Sequence, residues 1–588
     1  MGSIIGFSLF DNLDKESVGR LLNSEKKALS NFDHLEQRSF ACGETQLNVW
    51  GHKEVTERVH TMPDGSLLAL IGSPHGNANW FQVQEDLMNI NQPADFELPW
   101  DGRVILLRIS ADGKRWTKWN DWLGSIPVFH AQVGKGRIAS TLEPVIVDTA
   151  GFTVDDIFTP GLVSMLINGH FLSDWTLYKD MKILPPDSVA EWNENGLRVE
   201  KVWSVQPSQS RWETNWDDLV DEMYDLSHRA IADTLKKKST WILPLSSGLD
   251  SRLIAGVAAD VGADVSAFAW GASDTTDAVY SRKIAKTLGF PWKRIDLHEN
   301  FLVKYTQRWA GLFGSDMHFH GMYQMTFLDE IANESEAPII SGFLGDVLSG
   351  DAVKELEEVH SSPKTYQLEK DWYSNWQVDE VIAHVKIPVK DSLEANSLEL
   401  KTQIEKLPGA FFQKLTYLEL WNRQRRFTNF QSTLADYWRG VATPYLNKDY
   451  ARFCLSLPRA AFDRRLLADV FRRYYGRLAI IPGTYANEPF ILTGRYLLRK
   501  RLVNYLPKAF RRGPFAGFDN VQLRMDMDSI RAVGKDALWP LFAASEQLAN
   551  WLDVDMLYQE YRNIHDDREN YLALKKLQSA QTLAYRLL

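Results

Sequence analysis

At residues 204–210 the hydrophobic pattern of this 588-residue chain changes period, and that change limits the folds open to it more than any other feature. Upstream, short apolar or alternating runs recur at 67–71, 104–109, 116–119 and 128–133, separated by Gly, Asp and Asn, as strands require. Two more runs, 188–192 and 197–203, flank Asn195 and Gly196, a pair suited to a hairpin turn. Downstream, Leu219, Met223, Leu226, Ala230 and Thr234 recur at helical spacing, and 241–245 reads as a short buried strand. The alternation continues with a helix through Leu253, Ile254, Val257, Ala258 and Val261, a strand at 265–269, a helix at 278–288 closed by Gly289, and strands at 294–297 and 338–341. Strands alternating with helices imply a parallel, doubly wound sheet with ligands at the carboxyl ends of its strands. Beyond about residue 352 the chain reads as mainly helical. The stretch 204–210 is polar, carries Pro207 and has no periodicity, so we place the boundary there, between domains 1–204 and 205–588.

Apolar residues make up 45% of the chain and charged residues 24%, which excludes disorder, collagen and coiled coil as the main state. No apolar run approaches the roughly 18–20 residues that span a bilayer, and the amino terminus lacks the basic start of a secretory signal. A cytoplasmic protein is expected. Cys42 and Cys454, far apart in sequence, support neither a disulfide framework nor a multi-cysteine zinc site. The net charge of -10 argues against nucleic acid as a partner. The charge is uneven, however: between Arg464 and Arg512 twelve basic residues face only Asp469 and Glu488. That stretch suits an anionic substrate, a polyphosphate, a membrane surface or a solvated helical face.

The segment 243–252 reads LPLSSGLDSR and lies between the first strand of the second domain and its helix. Small side chains at Ser246, Ser247, Gly248 and Ser251 let a backbone turn approach phosphate oxygens, and the helix N-terminus adds about half a positive charge. Asp250 at the helix start is placed to hold Mg2+ on a pyrophosphate, because Mg2+ favours one or two carboxylates plus phosphate oxygens.

These residues resemble the SGGxDS loop of the asparagine synthetase family and its ATP pyrophosphatase relatives, with Ser247 at the first glycine. The resemblance continues in family order. Residues 268–271 (FAWG), followed by Asp277, resemble the strand whose backbone reads adenine, and 341–350 (SGFLGDVLSG) resembles the SGEGADELFGG segment. It implies ATP as cofactor at Leu245, Trp270, Ser341 and Gly342, and Mg2+ at Asp250 and Asp346. In the first domain, 120–128 (NDWLGSIPV) and 138–143 (IASTLE) resemble the glutaminase half of that family, so an Ntn-hydrolase-type sandwich joined to an adenine-nucleotide α-hydrolase-like domain is the implied α/β architecture.

The chain departs from the family where glutamine chemistry would lie. Gly2 stands at the place of the nucleophilic cysteine, whose own free amine would act as its base. The Asn-Gly-Glu that supplies the oxyanion hole and glutamine recognition is Ile71, Gly72 and Ser73, and Cys42 lies on an unrelated stretch. This half is therefore expected to be an inactive glutaminase fold. In the second half Phe343 replaces a positioning glutamate. Arg512 stands at the place of a lysine close to the leaving pyrophosphate, with Lys508 four residues upstream. Arginine keeps the charge and clamps phosphate bidentately.

The resemblance implies an AMP-forming, ATP-dependent ligase that adenylates a carboxylate and passes it to an amine or ammonia, with Asp250, Asp346 and Arg512 as its catalytic residues. Asparagine synthesis proper, an intramolecular cyclase of the β-lactam or lasso-peptide kind, amidation of an anionic glycan precursor or a peptide, and an ATP-binding pseudoenzyme are the alternatives. A tRNA-modifying enzyme is disfavoured by the acidic charge. Two lesser constellations stand beside the loop. His318 and His320 could serve as metal ligands, pocket residues or packing, and the arginines of 420–427 (LWNRQRRF) could reach substrate or form buried ion pairs.

Overall fold

The computed structural model describes residues 3–505, apart from 54, 77, 274, 297–300, 363, 370–375 and 484–487, together with 550–553 and 582. Two sheets organise the described residues, one of twelve strands and one of five. The larger sheet is mostly antiparallel. Its strand Ile4–Asp11 pairs antiparallel with Thr45–Gly51 and with Gly136–Ser140, and lies parallel to Leu67–His75 through Ile4 and Ile71. This sheet follows from period-two burial. In Leu67–His75 the residues Leu67, Ala69 and Ile71 enter one core with Ile105, Leu107 and Trp116, whereas Leu68 and Leu70 enter another with Val104, Leu106 and Trp119. Val83 and Leu87 of the helix Trp80–Asn89 cover that second face. The helices Lys15–Leu29 and Glu143–Ala150 cover Ile5 and Phe10 on the other side. Each Leu or Ile removed from water in this way stabilises the fold by about 1.5–3 kcal/mol.

The strand Ile4–Asp11 is buried along its whole length, so its sequence shows no alternation and escaped the periodicity reading. The hairpin at Asn195 is present, but its second strand, Gly196–Lys201, stops short of Trp203. Trp203 has a left-handed backbone (φ 59), which no ladder accommodates.

The smaller sheet is parallel throughout, ordered Trp292–Ile295, Asp264–Trp270, Thr240–Pro244, Ile339–Ile340, Val441–Ala442. The chain runs outward from Thr240–Pro244 through the next two strands on one side and returns to fill the other, so the direction of winding reverses at Thr240–Pro244. Ligands of doubly wound sheets bind in the crevice beyond the carboxyl end of such a strand. Residues 245–248 and 341–346 lie there. No helix among the described residues is long and apolar enough to cross a membrane.

The 120–128 turn of the large sheet meets residues 420–447 through a polar seam. Asp121 accepts from the Leu123 and Ser125 N–H groups, both at 3.1 Å, and shapes the turn. Its carbonyls face outward, so that Arg425 Nε donates to Gly124 O at 3.1 Å and Asn429 Nδ2 to Ser125 O at 2.6 Å. Arg426 pairs with Asp316, and Arg103 of the large sheet donates to Asp436 at 3.1 Å and to Asn429 at 2.5 Å. Leu420–Thr428 is π-helical, and two of its three arginines, 425 and 426, are buried in this seam. Structural pairing is thus their role here.

Candidate functional site

The strand Thr240–Pro244 is joined to the helix Leu249–Asp260 by residues 245–248, with Gly248 as N-cap and no side chain capping the helix. Every backbone N–H of this link has an internal acceptor. Leu245 N–H donates to Phe268 O at 2.7 Å, Ser246 N–H to Ser251 Oγ at 3.1 Å, and Gly248 N–H to Ser246 Oγ at 3.0 Å. The Ser247 N–H and hydroxyl both donate to Asp277 Oδ1, at 2.8 and 2.6 Å. The sequence placed these amides against phosphate; in the structure they hold the loop's shape. The N–H groups that a helix start leaves without a helical acceptor belong to its first turn, around Asp250 and Ser251. Arg252, fully buried, ties the loop from below. It donates to Ser247 O at 2.8 Å, to Ile481 O at 2.8 Å and to Pro482 O at 2.8 Å.

Asp250 is the centre of the crevice. Its Oδ1 is enclosed and has no hydrogen-bond partner, and its Oδ2 lies 3.8 Å from Arg464 Nη2. Burial first, and then the like charge of Asp346, push its carboxyl up to about 8. Asp346 is the second residue of the short helix Gly345–Leu348, whose N-cap, Leu344, is left-handed (φ 78). Arg464 also pairs with Asp351 at 3.1 Å. The structure therefore brings the predicted Asp250 and Asp346 together and adds Asp351 and Arg464, which the motif reading did not single out. Arg464 is the first residue of the basic stretch, and Asp351 directly follows the 341–350 motif.

Gly342 and Gly345 make this approach possible. A Cβ on Gly342 would stand 3.2 Å from both Asp250 Cβ and Ser251 N, and one on Gly345 would stand 2.6 Å from Asp250 Cγ. Gly345→Ala must therefore displace the Asp250 carboxylate. We expect it to lower any turnover at this site by about tenfold or more, since small misplacements of reacting groups are costly, with little change in melting temperature. Steady-state rates beside a thermal melt check this.

The remaining predicted positions are less concentrated. Trp270 ends its strand opposite Ile295, with its ring 4.7 Å from Phe327. Ser341 N–H donates to Ala442 O at 2.9 Å, and Ser341 Oγ accepts from Phe343 N–H at 3.2 Å, which turns the buried Phe343 side chain into the core. Arg512 and Lys508 lie outside the described residues, as does Gly2. His318 and His320 are buried, with the His320 ring stacked at 6.1 Å on Phe427, and no group of three or more metal-ligating side chains occurs among the described residues. Ile71, Gly72 and Ser73 lie on the strand Leu67–His75, where Gly72 (φ 99) would set a Cβ 2.2 Å from Arg103 O. Cys42 Sγ donates to Ser110 O at 3.2 Å, beyond the far end of the strand Asp101–Ile109 from Arg103, the residue that pairs with Ser73. Both cysteines are free and buried.

A strand-end loop of a parallel sheet, a helix start and two neighbouring acidic residues, Asp250 and Asp346, lie at the point where the winding reverses, the place where doubly wound α/β domains bind their ligands. Residues 222–323, which hold the loop and three of the five strands of the smaller sheet, match the asparagine synthase family, and this stretch of the chain is asparagine synthase-like. No curated protein matches the chain. Among solved structures, the glutamine phosphoribosylpyrophosphate amidotransferase from B. subtilis complexed with ADP and GMP is similar at 12% identity, with a TM-score of 0.20, over 45% of this chain and 65% of its own. A structure described as the allosteric regulatory enzyme of purine biosynthesis is similar at 10% identity, with a TM-score of 0.22, over 49% of this chain and 80% of its own. The chain thus spans less than two thirds of the first of these two proteins.

Proposed function

We propose that the chain is an ATP-dependent, AMP-forming amide ligase of the asparagine synthetase type. We read residues 205–588 as its synthetase domain and 1–204 as a glutaminase-like domain that does not hydrolyse glutamine. The observation that carries this reading is Asp250: a carboxylate at a helix start, near enough to Asp346 to feel its charge, with one enclosed oxygen left without a hydrogen-bond partner. Such an oxygen is costly unless a cation or proton meets it, and two glycines keep its surroundings clear. Asp250 and Asp346 therefore fit Mg2+. When bound, that ion would neutralise the charge developing on departing pyrophosphate.

The chain's own residues then have defined tasks. The backbone at Trp270 would face adenine, and Leu245, Ser341 and Gly342 would line the rest of the nucleotide. The first turn of Leu249–Asp260 would present its N–H groups and Ser251 to phosphate. In the reaction a substrate carboxylate oxygen bonds to the α-phosphorus of ATP and the bond to pyrophosphate breaks. An amine then attacks the acyl carbon, AMP leaves, and the amine gives up its proton. Arg512 is assigned to the pyrophosphate side by family position.

The test is pyrophosphate release by the whole protein with ATP and Mg2+, over aspartate, uronic acids and an acidic peptide, each with ammonia or glutamine. Release that requires one acid and proceeds with ammonia is the expected result. Turnover with glutamine but not ammonia would overturn the reading of the first domain. ATP binding without release for any acid would favour a pseudoenzyme.

A further inference from the structure

We propose that residues 477–480, 491–492 and the helix Gly494–Tyr505 form a ridge that docks on an anionic lipid bilayer, with the helix lying flat among the headgroups. This inference is independent of the nucleotide reading. The basic stretch that begins at Arg464 divides in two in the structure. In the helix Arg465–Tyr474 the cations are spent on the protein itself: Arg465 pairs with Asp463, Arg472 with Asp469, and Arg473 with Asp221 at 2.9 Å. Further on, Lys500 pairs with Glu488, whereas Arg477, Arg495 and Arg501 enter no ion pair among the described residues. The two parts are held together. Ile491 N–H donates to Ala479 O at 3.0 Å and Arg472 Nε to Phe490 O at 3.0 Å, which sets Arg477 and Ile480 beside Ile491 and Leu492.

Apolar side chains stand out on the same ridge. Leu498 is 61% exposed and Leu492 55%, and Ile480, Ile491, Leu497 and Leu502 are exposed as well. Along the helix Arg495, Leu498 and Leu502 follow one another at i, i+3 and i+7, and Leu497 and Arg501 at i and i+4, so each exposed row carries leucine and arginine together. A protein groove takes a continuous apolar stripe with the charges to its sides. Mixed rows suit the boundary between headgroups and acyl chains, where leucines enter the hydrocarbon and the long arginine stems carry their guanidinium groups back to lipid phosphates. Twelve residues make a helix about 18 Å long, short of the roughly 30 Å of a bilayer core, so this helix lies in the surface and does not cross it. Arg477, Arg495 and Arg501 then select anionic lipid, since each cation near a negatively charged surface adds an attraction that neutral lipid lacks.

Co-sedimentation of the full chain with vesicles tests this, using phosphatidylcholine alone and phosphatidylcholine mixed with phosphatidylserine. The mixed vesicles should bind at least about tenfold more tightly, and added salt should weaken that binding. Leu498→Gln with Leu502→Gln should weaken it by about tenfold or more at an unchanged melting temperature, because two side chains no longer enter the hydrocarbon. Arg495→Gln with Arg501→Gln should remove most of the preference for the mixed vesicles. Absence of binding, or equal binding to both vesicles, would overturn the proposal. Binding that the leucine variant leaves unchanged would overturn it too, by reducing the ridge to a bare charge that any polyanion satisfies. A leucine variant with a lower melting temperature would show that the ridge packs against the protein's own chain, and a wild-type dimer that this variant splits would show that a second copy covers it; either would also overturn the proposal. None of these results touches the nucleotide reading, which pyrophosphate release from soluble acids tests separately.

Discussion

Asp250→Asn is expected to lower ATP-dependent pyrophosphate release by about a thousandfold while raising the melting temperature at pH 8. The two effects share a cause. Asn keeps the shape of Asp but cannot carry the charge that a metal and a leaving pyrophosphate require. The same charge is a burden to the fold, since burial and Asp346 push the Asp250 carboxyl up to about 8, from an ordinary value of 3.8. The unfolded chain releases this proton near pH 4, whereas the folded protein holds it until about pH 8. Over that window the folded state binds more protons, and wild-type stability falls as pH rises. The variant lacks this loss. Its advantage in melting temperature should be near zero at pH 4 and should grow up to about pH 8, which melts across a pH series would show. An advantage that shrinks with rising pH would contradict the assigned environment, and undiminished pyrophosphate release would contradict the assigned role.

The second large effect falls on stability. Arg103→Met should destabilise the protein by about 3–5 kcal/mol, since it removes one partner of a buried ion pair and leaves the other uncompensated. Arg103 is 1% exposed and donates to Asp436 at 3.1 Å, to Asn429 at 2.5 Å and to Thr433 at 3.1 Å. Methionine replaces the apolar stem but none of those donors. Burial already raises the Asp436 carboxyl against the lowering influence of Arg103, so Asp436 alone would take up a proton or draw in water. The double variant Arg103→Met, Asp436→Leu should regain much of the loss, because replacing both partners by apolar groups removes the desolvation cost. Urea unfolding of the three proteins measures this. Equal destabilisation of the single and double variants would show that packing, and not the pair, holds the seam.

Both residues show how far a sequence reading reaches. Asp250 is legible because the features that identify it are local: a buried strand, a run of small residues, a carboxylate at the next helix start. Trp241, Ile242 and Leu243 are buried as their run of apolar side chains suggests, and helical spacing finds Trp216–Leu235 to within three residues at its start. Arg103 is not legible. It lies in an otherwise apolar strand, and its partners are more than three hundred residues away in sequence. The arginines 425 and 426 share this difficulty, because one sequence pattern suits both a substrate contact and a buried seam.

The sequence by itself determined the alternation of strands and helices from Trp216 to Ile295, the strand-end loop with Asp250, and the segment with Asp346, but not the fifth strand, Val441–Ala442, in a stretch that reads as helical. These depend on periodicity, turn-forming residues and small side chains, which act over a few neighbours. Only the tertiary structure decided which groups Asp250 meets. It placed Asp351 and Arg464 beside that carboxylate and turned Phe343 into the core. It also bound the loop amides to Phe268, Ser251, Asp277 and Ser246. The environment of a buried charge is set by whatever long-range packing brings within a few ångströms, and no local pattern in the chain encodes it.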